Sequence, residues 1–92
     1  MLEWRSAMNL LIVDDEYLVV EEVVTVTDWE LLGITEIYSA TNAVSAVRIL
    51  NEKKIDIMIC DIEMPQTDGL ELSKKAKENF PDLEIVMLTS QA

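Results

Sequence analysis

Apolar residues concentrate in four short runs, at positions 10–13, 37–40, 55–60 and 84–88. Three of the four are near-continuous rather than alternating, the pattern of strands buried on both faces. Longer segments with helical periodicity separate them. Ala43, Ala46, Val47 and Leu50 fall at i, i+3, i+4 and i+7, with Arg48 and Glu52 beside this apolar stripe, which predicts an amphipathic helix. Residues 68–80 carry their own punctuation. Asp68 can cap a helix start, Glu71 follows three residues on, Lys74, Lys75 and Lys77 suit the negative C-terminal end, and Pro81 disfavours helical geometry at Phe80. In residues 16–28 two signals compete. Val19, Val20, Val23, Val24 and Val26 are β-branched and favour a strand. However, Val20, Val23, Val24 and Thr27 repeat at helical spacing with Glu21 and Glu22 on the other side, and a strand of that length would be unusual, so the segment is predicted as a helix. The resulting order, β-α-β-α-β-α-β, implies a parallel sheet with right-handed crossovers and helices on both faces.

Composition narrows the class. The chain has 92 residues, half of them hydrophobic, with 2 Gly and 2 Pro, which excludes collagen-like, linker-type and disordered chains and suits one small domain. Eighteen acidic against 7 basic residues give a net charge of −11, so this segment should repel phosphate backbones and is not expected to bind nucleic acid directly. With one cysteine and no histidine, neither an internal disulfide nor a Cys/His zinc site is available. No apolar run approaches the ~18 residues of a membrane span, and a cytoplasmic protein is expected. Residues 1–7 have no clear period, and Met8 reads as a second natural start. They are set aside as a leader or a cloning remnant, and residues 8–92 are taken as the domain.

Candidate chemistry lies at strand ends, where open α/β sheets bind ligands. Asp14 and Asp15, with Glu16 behind them, follow the first run, and Asp61 follows the third. An isolated Asp-Asp is ordinarily a solvated loop; Val-Asp-Asp-Glu after one buried strand combined with Asp after another is a rarer arrangement. If the first and third strands are neighbours, these carboxylates share a pocket and repel one another unless a cation joins them. Hard oxygen ligands of this kind suit Mg²⁺, which would also neutralise phosphoryl oxygens near Asp61 and leave that carboxylate free as a nucleophile. Cys60 invites a redox role, but a buried strand thiol without a basic neighbour is expected to be inert. Trp29 is expected to pack beneath the loop after the first helix.

Three segments carry a family resemblance: Leu11-Ile-Val-Asp-Asp-Glu16, Ile59-Cys-Asp-Ile-Glu-Met-Pro-Gln-Thr-Asp-Gly69 and Ile85-Val-Met-Leu-Thr89. Together they resemble the receiver domain of bacterial response regulators over residues 8–92. Thr27-Asp-Trp-Glu-Leu-Leu-Gly33 is similar to receivers of the YesN type, which usually precede an AraC-type DNA-binding domain. The resemblance implies a flavodoxin-like doubly wound sheet of order 2-1-3-4. It implies Asp61 as phosphoacceptor, Asp15 as direct Mg²⁺ ligand and Asp14 as its partner acting through water. Glu63 matches the position whose backbone carbonyl binds the metal, Thr89 the switch hydroxyl, and Pro65 and Gly69 the turn that shapes the loop.

One departure matters. The family places a lysine at the end of a fifth strand, and Lys53, Lys54, Lys74, Lys75 and Lys77 cannot be matched to it. The chain therefore reads as a receiver lacking the family's fourth helix, fifth strand and fifth helix. The function expected is acceptance of a phosphoryl group from a sensor histidine kinase onto Asp61 with Mg²⁺, without enzymatic turnover beyond self-dephosphorylation. The alternative is a truncated fragment that folds by self-association and is impaired in phosphotransfer. A metal-dependent phosphatase with an aspartyl nucleophile fits poorly, because that chemistry wants Asp-x-Asp after the first strand, and Asp14-Asp15-Glu16 is not that.

Overall fold

The computed structural model describes residues 7–64 and 67–88. Strand β1 (Met8–Val13) is followed by helix α1 (Tyr17–Val26) and a 3-10 turn (Trp29–Leu32), then β2 (Ile34–Ala40), α2 (Ala43–Glu52) and β3 (Ile57–Asp61). Two two-residue strands, β4 (Glu63–Met64) and β5 (Thr67–Asp68), pair antiparallel before α3 (Gly69–Asn79) and β6 (Glu84–Leu88). The four long strands form one parallel sheet in the order β2-β1-β3-β6, the expected 2-1-3-4 order of long strands.

The near-continuous apolar runs are explained by two cores, one on each face. Leu11, Val13, Met58 and Cys60 point to the side covered by Ala46 and Leu50 of α2 and Leu72 and Ala76 of α3. Leu10 and Ile12 point the other way, onto Val20 of α1 and Ile34, with Val23, Val24 and Trp29 packed around them. Alternate residues of β1 thus feed different cores, and none of its last four is exposed.

The helices begin where the sequence marks them. Asp68 Oδ1 accepts from the N–H groups of Leu70 and Glu71, and Asn42 Oδ1 accepts from Ser45 N–H. Helix α1 has no such side-chain cap; tertiary burial of Val20 overrides both this and its β-branched composition. The predicted stripe on α2 is corrected in one place: Ala46 and Leu50 are buried, but Val47 is 45% exposed. Residue 27 ends α1 rather than continuing it, and Asp28 caps the unforeseen 3-10 turn. Gly33 closes that turn at φ 84°, a left-handed conformation for which glycine is suited, and its carbonyl accepts the Met8 N–H that starts β1.

Candidate functional site

The sheet order makes β1 and β3 neighbours, with Val13 in register with Cys60. Their next residues therefore emerge side by side at the carboxyl edge of the sheet. Asp14 leaves β1 with its N–H bonded to the Ala40 carbonyl of β2. Asp61 is the last residue of β3, in register with Leu88, rather than lying beyond the strand as the sequence suggested. One carboxylate oxygen from each of Asp14, Asp15 and Asp61 lies within 4.8 Å of the others. Asp14 is 7% and Asp61 4% exposed, while Asp15 is partly open to solvent.

Backbone donors fix two of these groups. Glu16 N–H donates to Asp14 Oδ1 at 2.9 Å, and Glu63 N–H donates to Asp61 Oδ1 at 3.0 Å. Burial pushes the Asp14 carboxyl above its ordinary value; the Glu16 N–H opposes this, and the Asp61 and Asp15 charges add to it. Among the described residues, Lys54 pairs with Asp56, and no lysine or arginine is in an ion pair with Asp14, Asp15 or Asp61. Three hard carboxylates, two of them buried and with no ion-pair partner among the described residues, make a donor set suited to a divalent cation such as Mg²⁺.

Behind Asp61 the packing is close. A Cβ on Gly69 would meet the Asp61 carbonyl oxygen in an impossible contact, with Ile62 Cα at 3.0 Å and Asp61 C at 3.1 Å. Gly69 N–H also donates to the Ile62 carbonyl at 3.3 Å. The start of α3 is thereby pressed against the backbone that presents Asp61. Sequence reasoning did not single out Ser73, a buried residue beside Cys60 whose hydroxyl donates to Met87 Sδ at 3.1 Å. Its signal was a small polar residue beside Leu72 on the buried stripe of α3. Cys60 is buried, and burial, with Asp61 and Asp14 nearby, raises its thiol against the opposing influence of the Ser73 hydroxyl, as expected of an inert thiol. Thr89 and Pro65, both named from the sequence, lie outside the described residues.

The comparisons agree with this geometry. The model of the response regulator receiver domain family matches residues 10–92. Two curated relatives from Bacillus subtilis, the uncharacterized transcriptional regulatory proteins YhcZ and YesN, are each 34% identical to the chain. The alignments cover 90% and 88% of the chain, but only 38% of YhcZ and 22% of YesN. The chain therefore spans well under half of these relatives. Among solved structures, a two-component transcriptional regulator AraC from Clostridium phytofermentans superposes with a TM-score of 0.86 at 26% identity, covering 92% of this chain and 68% of that one.

Proposed function

Since the chain belongs to the response regulator receiver domain family, we propose that it is the phosphoacceptor module of a two-component relay, taking a phosphoryl group onto Asp61 from a sensor histidine kinase in the cytoplasm. Receiver domains are signalling modules rather than enzymes. The observation that carries the reading is the convergence of Asp14, Asp15 and Asp61 at the carboxyl edge of β1 and β3. Glu63 N–H holds Asp61 Oδ1, which orients the carboxylate and leaves Oδ2 to attack phosphorus. As the new P–O bond forms, the P–N bond to the donor phosphohistidine breaks, and its electron pair stays on the imidazole nitrogen. Asp15, Asp14 and Asp61, with the Glu63 carbonyl, would hold Mg²⁺, which when bound supplies charge neutralisation for the transferred group. Asp14, fixed by Glu16 N–H, would be held ready to take its share of the metal's coordination, directly or through water. Thr89 is proposed as the switch hydroxyl on the resemblance alone. Labelling with acetyl phosphate and Mg²⁺, located by mass spectrometry, tests the reading directly.

Self-association of the 92-residue chain is a second part of the proposal, supported by a separate observation. β6 is an edge of the sheet formed by the described residues, and Val86 and Leu88 on it are 47% and 38% exposed. An apolar edge strand without proline is a template for pairing with another chain. Sedimentation equilibrium over a range of concentrations is expected to show association, weakened by Val86→Lys. A chain that stays monomeric throughout would refute it. No helix of the described residues is long and apolar enough to cross a membrane.

A further inference from the structure

Helices α2 and α3 lie on the same face of the sheet and run in the same direction, and a groove of about 360 Å³ opens between them. Its floor is apolar, made by Leu50, Leu72 and Ala76, with Phe80 closing the lower end. The α2 wall is apolar as well. Val47 lines it and, one turn nearer the helix start, Val44 extends the strip at 79% exposure. Val44 is not itself part of the groove lining, but with Val47 it gives the otherwise polar outer face of α2 an exposed aliphatic edge beside an apolar floor, a patch suited to a contact surface. The α3 wall is charged instead. Asp68 and Glu71 stand at the upper end, Lys75 one turn lower, and Asn51 and Asn79 face the bottom. Glu71 and Lys75 are four apart on one helix, yet among the described residues neither is in an ion pair.

The geometry points to a docking groove for a single amphipathic helix of a partner protein, carrying an aliphatic edge and ending in Lys or Arg. The aliphatic edge belongs against Val44, Val47 and Leu50, in the helix-in-groove mode of recognition. The charge order along the α3 wall sets the direction. A basic last turn meets Asp68 and Glu71, and its position beside the N-terminal ends of α2 and α3 also places the partner's negative helix end near their positive ones. An acidic helix is disfavoured by these two carboxylates and by a chain of net charge −11. The groove is separate from the Asp14, Asp15 and Asp61 cluster, so this inference stands or falls independently of phosphotransfer.

The test uses a capped synthetic peptide of about four helical turns, with Leu at i, i+3, i+4 and i+7 and Lys in its last turn. A scrambled peptide of the same composition removes the contribution of bulk charge. Amide shifts of the ¹⁵N-labelled 92-residue chain are followed at about 0.15 M salt, where exposed charges are largely screened beyond ~8 Å. The expected result is saturable shifts confined to α2 and α3 with the ordered peptide and not with the scrambled one. Val47→Lys should weaken binding about tenfold or more, as should Val44→Lys, whose high exposure guards against misfolding. Glu71→Lys should weaken it less and reduce its salt dependence, Asp68 remaining in place. Equal shifts with both peptides, shifts elsewhere, or no binding up to about 1 mM peptide would overturn the inference. Dilution-dependent shifts of the same amides in the chain alone would do so too, by identifying a second copy as the occupant.

Discussion

Replacing Gly69 with alanine sets two physical effects against each other. Glycine in a helix interior costs about 0.5–1 kcal/mol relative to alanine, an upper bound at the first helical position where Gly69 stands, so propensity alone predicts that Gly69→Ala stabilises the protein. The structure predicts the opposite. The added Cβ would run into the Asp61 carbonyl oxygen, with Ile62 Cα at 3.0 Å and Asp61 C at 3.1 Å. All three are backbone atoms and cannot rotate away. β3 is hydrogen-bonded into the sheet on both sides, and α3 is anchored by buried Leu72, Ser73 and Ala76, so neither element shifts freely. Overpacking of this kind costs about 1–3 kcal/mol, and the upper part of that range applies when only backbone can yield. Subtracting the propensity gain leaves a net loss of roughly 1–2 kcal/mol. For a domain of this size that lowers Tm by roughly 5–15 °C, and the urea midpoint by about 1 M. Circular dichroism melts and urea titrations of the two proteins measure it. An unchanged or raised Tm would show that α3 does not press on the Asp61 backbone, and the packing account would be wrong.

Two further outcomes follow from the acidic cluster and its neighbours. Asp14 binds its proton more tightly folded than unfolded, because burial and the Asp61 and Asp15 charges raise its pKa above 3.8. Its ionised form therefore costs stability at neutral pH, and that cost disappears as pH falls through the folded value toward 3.8. Asp14→Asn, which keeps an acceptor for Glu16 N–H, should raise Tm at pH 7, with a gain that shrinks toward pH ~4. Mg²⁺ should stabilise the unsubstituted chain more than the variant, and a gain independent of pH would contradict this account. Cys60 should resist a thiol reagent at pH 8 in the folded protein and react fully in denaturing urea; rapid reaction of the folded chain would mean that the strand is not packed as described.

Most of the fold was legible because the sheet is buried on both faces. Leu10 to Val13 supply two cores at once, which leaves a continuous apolar run that no helix or half-exposed strand would carry. Asp68 and Pro81 bracketed α3 because capping and proline geometry act locally. What was not legible depends on distant parts of the chain. β2 starts at Ile34, before the apolar run, because its first residues pair with β1 although Thr35 and Glu36 are exposed. Val47 obeys the helical spacing yet stays half-exposed, since α3 stands away from it and leaves the groove. The three carboxylates could be named from their places after apolar runs. That Asp61 ends β3 itself and that Gly69 lies against its carbonyl needed the register between β1, β3 and β6.

The central claim is that the cluster built by Asp14, Asp15 and Asp61 makes Asp61 a phosphoryl acceptor. Incubation of the 92-residue chain with acetyl phosphate and Mg²⁺, followed by mass spectrometry of the intact protein and of its peptides, tests that claim most directly. The account predicts one phosphoryl group, located on Asp61, dependent on Mg²⁺ and absent from Asp61→Asn. A folded chain that takes up no phosphoryl group, or one whose label persists in Asp61→Asn or maps to another residue, would contradict it.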